Sequence, residues 1–436
     1  MLGTSLNAIA LEPAAVPSAV LFENVRVFDG ATGKLSATTS VLVKNNLIAG
    51  IGTTASADAS NVTALRIDGH GRTLMPGLID NHWHTMLVSP TPAQILEDDI
   101  GYTHLRAAAE AKATLMRGFT TVRDLGGPSF GLKRAIDEGL AVGPRIYPSG
   151  AMITITGGHG DFRSRSELPR HLSGPLSQPE RFGGSMIADS PDEVRVRVRE
   201  QLLLGASQIK LTAGGGVASP HSPLDVSTFT DEELKAAVEA AANWGTYVSV
   251  HAYTSAAIAR AIAAGVKVIE HGHLMDDATA KLMAKQGIWL SFQPFTNDGT
   301  APPLAPANQR RLQQVWTGTE HTIALAQKYK LKVAFGTDIL FSSELAKRQG
   351  SELTKMARWY SAAEALIMAT SRNGELLKLS GPRDPYPGKI GVIETGALAD
   401  LLLVDGDPLT NIDLLQSPAK NIRVIMKDGK IFKHAN

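Results

Sequence analysis

The sequence predicts an α/β fold: a (β/α)8 TIM barrel with a small β-sandwich domain formed from both termini. Three observations lead there. Short apolar strands alternate with helical stretches through the middle of the 436 residues. Both ends carry hairpin signals instead of helices. Histidines, a lysine and an aspartate recur where the middle strands end, and a barrel gathers its active site at the C-terminal ends of its strands.

Composition narrows the class. Hydrophobic residues make up 43% and charged residues 19%, an ordinary globular balance. A net charge of +1 gives no reason to expect nucleic acid or an anionic membrane as partner. The absence of cysteine excludes disulfides, thiolate ligands and a cysteine nucleophile. No apolar run approaches the ~18 residues of a membrane span. Residues 1–19 are small and apolar, yet no Lys or Arg precedes Arg26, so the basic region of a secretion signal is missing. They read as a flexible arm or a signal remnant, and the compartment, cytoplasmic or exported, stays open.

Residues 20–72 read as β structure. Val25–Phe28 runs into a turn at Asp29-Gly30, and Ser40–Val43 and Leu47–Ile51 flank Asn45-Asn46. Residues 386–436 look alike, with the apolar run Ala399–Val404 and a hairpin turning at Asp428-Gly429. Neither end has enough strands to stand alone. Together they make one composite β-sandwich, which leaves 73–385 as the barrel.

In that middle, Thr73–Ile79 reads as one buried strand leading into Asp80-Asn81-His82-Trp83-His84. Strands at Phe119–Asp124, Ile146–Gly150, Gln208–Thr212, Tyr247–His251, Val266–His271, Ile288–Phe292 and Val333–Asp338 complete eight βα units. The helix from Asp231 has a Thr230 cap and an acidic first turn. A doubly wound open sheet is the alternative. It would not bring the first and last strands together, and the reactive residues span all of them.

Side chains two apart on a strand share a face, so His82 and His84 project together. Lys210, His251, His271 and Asp338 end later strands. Singly, each has a dull reading: a solvated lysine, a hydrogen-bonded core histidine, a helix-capping aspartate. Jointly, they make a two-metal site. His82 and His84 hold one divalent ion, and His251 and His271 a second; neutral imidazole suits zinc. Two dications need an anionic bridge. Burial pushes Lys210 towards its neutral amine, which can take up carbon dioxide and become a bridging carbamate. Asp338 ligates or hydrogen-bonds the first metal, acts as base, and passes the proton to the leaving group. Attack is by a metal-bridging hydroxide.

The chain resembles the metal-dependent amidohydrolase superfamily. The resemblance rests on Pro76–His84, Gly118–Asp124, Gly157-Gly158-His159-Gly160-Asp161, Ile209-Lys210, Val250-His251-Ala252-Tyr253, Ile269-Glu270-His271-Gly272 and Gly336-Thr337-Asp338. It covers nearly the whole chain and is similar to the imidazolonepropionase- and prolidase-like branch, which includes ochratoxin-degrading amidohydrolases. It implies a binuclear site with an N-carboxylated Lys210, a sandwich built from both termini, amide hydrolysis and a homo-oligomer, an octamer among the forms. Asn81 departs from many relatives, which carry another residue before the first histidine.

Around the metals, the Tyr253 phenol could polarise the substrate carbonyl, or pack under a loop. His159 corresponds to a histidine that contacts substrate in related enzymes. Arg163, Arg165 and His221 lie in mouth loops, where one of the arginines could clamp a carboxylate, although singly each reads as a surface residue. Gly214-Gly215-Gly216 fits no nucleotide motif and reads as a flexible loop. His273 shares the face of His271, which remains the better ligand. The expected enzyme hydrolyses a small amide or dipeptide to release a C-terminal amino acid, as a dipeptidase, an N-acyl-amino-acid hydrolase or an ochratoxin-type amidase. A mononuclear deaminase or cyclic-amide hydrolase would not need Lys210, and Ala252-Tyr253-Thr254 lacks the deaminase's proton-shuttling glutamate. A non-catalytic barrel typically loses its metal ligands, and none is lost here.

Overall fold

The computed structural model describes residues 19–60, 63–167, 175–219, 221–299 and 304–435. The expected arm or signal remnant at 1–19 lies almost wholly outside them. No helix among the described residues is long and apolar enough to cross a membrane.

The first five strands are β1 (Ala19–Phe28), β2 (Leu35–Lys44), β3 (Leu47–Ile51), β4 (Leu65–Asp68) and β5 (Thr73–Pro76). The middle contributes β6 (Leu78–Trp83), β7 (Phe119–Asp124), β8 (Arg145–Pro148), β9 (Met152–Thr154), β10 (Ser185–Ile187), β11 (Ile209–Thr212), β12 (Val248–Thr254), β13 (Val268–Leu274), β14 (Trp289–Phe292) and β15 (Lys332–Phe335). The C-terminal end adds β16 (Leu401–Val404), β17 (Ile422–Lys427) and β18 (Lys430–His434).

The two ends of the chain share one eight-stranded sheet, ordered β18-β17-β16-β5-β1-β2-β3, with β4 also on β1. β5 is the joint. It runs antiparallel to β16 through Thr73–Val404 and Met75–Leu402, and parallel to β1 through Arg26–Thr73. Its side chains alternate between two buried surfaces, as a pleated strand requires. Leu74, Leu401, Leu403 and Val424 pack with Val20, Phe22 and Ile48. Met75, Leu402 and Ile425 face the other way into the main core with Leu115 and Phe119. Burial on both faces explains why Leu401–Val404 is apolar throughout instead of alternating. A short helix, Thr53–Ala59, interrupts the N-terminal β region and packs Ala55 and Ala59 against Leu21 and Leu42.

One expected strand is split in two, and others shift by a few residues at their ends. Thr73–Ile79 is not a single strand: it divides at Gly77 between the terminal sheet and the middle. A Cβ on Gly77 would sit 2.1 Å from Thr120 Oγ1, and the Gly77 N–H donates to Asp400 O at 2.8 Å. The chain turns there against β7, where only glycine fits.

The middle strands form two parallel ladders, β6-β7-β8 and β10-β9-β11-β12-β13-β14-β15. Side chains bind across the gaps between them. Beside β6 and β15, buried Asn373 donates to Ile79 O (2.7 Å) and Phe335 O (2.8 Å) and accepts from the Phe335 N–H (3.0 Å). Asp80 accepts from Thr337 Oγ1 at 2.7 Å, and the Asp338 N–H donates to His82 O at 2.8 Å. Beside β8 and β11, the Gln208 amide donates to Tyr147 O (2.9 Å) and Asp124 O (3.2 Å). Asn373→Ala should therefore strand three buried backbone groups, each worth about 1–3 kcal/mol. The expected loss is at least about 2 kcal/mol in urea unfolding. A loss below about 0.5 kcal/mol would mean that water or a shifted strand satisfies those groups.

Candidate metal centre and active site

The six residues expected as ligands lie on or just beyond five strands: His82 near the end of β6 with His84 just past it, Lys210 within β11, His251 and His271 midway along β12 and β13, which run three residues further than expected, and Asp338 after β15. The structure brings them together. Asp338 Oδ1 lies 3.2 Å from His82 Nε2 and 3.1 Å from His84 Nε2. The ring centroids of His82 and His271 are 5.1 Å apart, and those of His271 and His251 4.4 Å. His82, His271 and Asp338 each offer a ligand atom within 4.8 Å of the others, a grouping that crosses the strand-by-strand pairing of the histidines. His271 and Asp338 both hold left-handed backbone, φ 75° and 53°. Such conformations cost non-glycine residues energy and concentrate at functional sites.

The donor set fits divalent metal. Lys210 is buried, and its Nζ has no hydrogen-bond partner. Burial lowers its pKa to about 8, against the opposing pull of Glu270 and Asp338, so a neutral amine is accessible. His271 Nδ1 is likewise buried without a partner. Burial holds His251 and His271 well below the ordinary imidazole range, which keeps them neutral donors. Asp338 stays ionised: burial opposes this, but His82 and His84 beside it override burial. His251 Nε2 is 2.8 Å from Gly215 O, so that nitrogen carries the proton and Nδ1 is left as the donor atom. His273 takes no such position; its Nε2 bonds Gln293 O at 2.9 Å and its ring stacks on Phe292.

Behind the ligands lies a buried ion pair with no expected role. Glu270 Oε2 is 2.9 Å from His82 Nδ1, and its Oε1 accepts from Arg123 Nη2 at 2.6 Å and from Ser249 Oγ. Arg123 also donates to Asn81 O (2.7 Å) and Tyr247 Oη (3.2 Å). Burial alone would raise Glu270, yet Arg123, His82 and Lys210 hold it lowered. Glu270 Oε2 thus sits as a charge against His82 Nδ1, which Gln293 Nε2 also approaches at 3.2 Å, while Nε2 faces Asp338. The available signal was a charge inside each of two apolar strands, Val122-Arg123 and Ile269-Glu270.

Of the expected substrate contacts, two join the cluster. His159 stacks on His251 at 4.2 Å, and burial lowers it to about 4. Tyr253 stacks on His271 at 4.9 Å, and burial raises its phenol, so it remains a proton donor. Arg163 is bound by Asp161 through Nη2 (2.6 Å) and Nε (2.9 Å), His221 Nε2 bonds Arg163 O at 2.9 Å, and Arg165 is exposed.

Residues 73–432 match the Amidohydrolase family. The chain belongs to that family. Among curated relatives, the ochratoxinase of Aspergillus niger is 29% identical over 416 residues, covering 90% of this chain and 82% of the relative. Among solved structures, an amidohydrolase superposes with a TM-score of 0.86 at 37% identity, covering 95% of this chain and 99% of its own. A prolidase crystallised with N-methylphosphonate-L-proline superposes with a TM-score of 0.86 at 33% identity, covering 95% and 100%. As an amidohydrolase, the protein is a metal-dependent hydrolase of carbon–nitrogen bonds.

Proposed function

We propose that this amidohydrolase cleaves a small amide or dipeptide at a binuclear centre and releases a C-terminal amino acid. The observation that carries this reading is the buried, unpartnered Lys210 amine amid four histidines and Asp338. His82, His84 and Asp338 would hold one ion and His251 and His271 the other, zinc by ligand type. When bound, the ions would polarise the scissile carbonyl and lower the pKa of water. Lys210 would bridge them as a carbamate: its nitrogen forms a bond to the carbon of carbon dioxide and loses a proton. Asp338 would accept a proton from water and deliver it to the departing nitrogen. Tyr253 and His159, packed on His271 and His251, would orient the carbonyl. The likeness to an ochratoxinase and a prolidase supports amide or peptide bonds as the target.

The same reading extends to architecture. We take 73–385 as one closed barrel whose two gaps are bridged by side chains. The terminal strands then fold over as a composite β-sandwich, which the packing of Ile48 with Met426 from distant parts of one sheet supports. A homo-oligomer, as large as an octamer, belongs to this proposal, as do Arg165 and His221 as substrate contacts in the mouth loops, with Arg163 neutralised by Asp161 behind them.

Metal analysis and a substrate panel test the function together. About two ions per chain are expected, and one ion or none in active enzyme removes the binuclear centre. N-acyl-phenylalanine should exceed its carboxamide by about tenfold or more in kcat/KM, because a free carboxylate suits a cationic mouth. Equal rates would remove the carboxylate preference and leave the hydrolysis.

A further inference from the structure

The triglycine after β11 is not there for conformational freedom. Gly214, Gly215 and Gly216 are absent from the glycines with positive φ. At Gly215 and Gly216 the missing side chain is required by contact. A Cβ on Gly215 would lie 1.5 Å from Pro223 O, and one on Gly216 would lie 2.3 Å from His159 Nδ1. The segment is therefore wedged between the loop behind it and the His159 ring. Its position also decides two site residues. Gly215 O takes the Nε2 proton of His251, and Gly216 backs His159, which in turn stacks on His251.

One cation clamps this segment. Arg311 projects from the helix Pro306–Tyr329, and its Nη1 donates to Gly216 O (3.3 Å), Ser219 O (3.2 Å) and Ser222 O (3.3 Å). Three carbonyls around one charged nitrogen form a cradle for a positive charge, and charge-assisted bonds are the stronger kind. Val315 of the same helix shares an apolar cluster with Leu224 and Val217 of the loop, so Arg311 adds a charge-assisted clamp on the loop backbone to that packing.

We infer that Arg311 is a positioning residue: through Gly215 and Gly216 it holds His251 in the tautomer that leaves Nδ1 free, and holds His159 against it. Arg311 itself touches no reacting atom. The inference rests on the proposed roles of His251 and His159. Outer partners of metal-bound histidines typically change metal affinity or activity by 10–100-fold.

Zinc titration of the metal-free protein against a competing chelator is the test, with Arg311→Met, Arg311→Lys and wild type in parallel. Arg311→Met should weaken one of two binding events by about tenfold or more and leave the other unchanged. Arg311→Lys keeps a charge in the cradle and should recover part of that loss, as should guanidinium ion added to Arg311→Met. Gly216→Ala, which displaces His159 alone, should lower kcat/KM without weakening either zinc. If Arg311→Met binds both zincs as wild type does, the inference is overturned. If it weakens both equally, or if Arg311→Lys is no better, Arg311 serves only the fold and the inference is again overturned. Wild-type protein that takes up fewer than two ions would instead overturn the binuclear reading, so the two failures are distinguishable.

Discussion

Lys210→Ala should abolish hydrolysis, by about three orders of magnitude or more, equivalent to about 4 kcal/mol of transition-state stabilisation. It should also come out of purification depleted of metal. The reason lies in what surrounds the amine. Lys210 Nζ is buried with no hydrogen-bond partner, an arrangement that costs the fold and serves only chemistry. The stability and activity effects should therefore separate. Lys210→Met keeps most of the volume and removes the buried amine, so the metal-free variant should be at least as resistant to urea as wild type. Short carboxylic acids, supplying an anion where the carbamate would sit, should restore part of the activity to Lys210→Ala. Wild-type turnover in Lys210→Ala would end the carbamate assignment. A metal-free Lys210→Met that unfolds much more easily would show an unsuspected structural role.

Arg123→Met should be among the most destabilising single changes in the protein. Arg123 and Glu270 are both fully buried, and the pair is joined at 2.6 Å. Removing one member of such a pair leaves an uncompensated charge and typically costs about 3–5 kcal/mol. Arg123 also serves Asn81 O and Tyr247 Oη, so further bonds are lost with it. Replacing both charges, as Arg123→Met with Glu270→Leu, should recover part of the stability, because the stranded carboxylate disappears. It should not recover the candidate metal site, because His82 Nδ1 then loses the carboxylate beside it. Urea unfolding of the metal-free single and double variants separates these effects. A cost below about 1 kcal/mol for Arg123→Met would show that Glu270 takes up a proton or a water instead.

The candidate ligands could be picked out because each is a polar residue set in or beside an apolar strand. His82, Lys210, His251 and His271 stand out against Ile79, Ile209, Val250 and Ile269 in the same strands. The pairing of the chain ends was legible from turn chemistry at Asn45-Asn46 and Asp428-Gly429; Asn46 Nδ2 in fact donates to Asp428 Oδ1 at 3.1 Å. What escaped depends on contacts between distant segments. The break at Gly77 arises from Thr120, and nothing in Leu74-Met75-Pro76-Gly77-Leu78 discloses which neighbour will approach. Strands β9 and β10 are three residues each, too short for any periodicity to register. The triglycine reads as flexibility until Pro223 and His159 are seen against it. Arg311 sits beside Arg310 in a polar helix surface, and only the three carbonyls distinguish it.

The joint between β5 and β16 has a consequence for how the chain is made. Thr73 Oγ1 donates to Gly406 O across 333 residues of sequence. At about 5–20 residues per second, a ribosome needs roughly 17–67 s to deliver the second partner after the first has emerged. Throughout that interval the edge of β5 that β16 will occupy is an unpaired strand edge beside a half-built apolar layer. Such edges are templates for wrong pairing. The nascent amidohydrolase must therefore survive most of its own translation with its N-terminal sheet open, so synthesis rate and chaperone supply should govern its soluble yield more than the stability of the finished fold does.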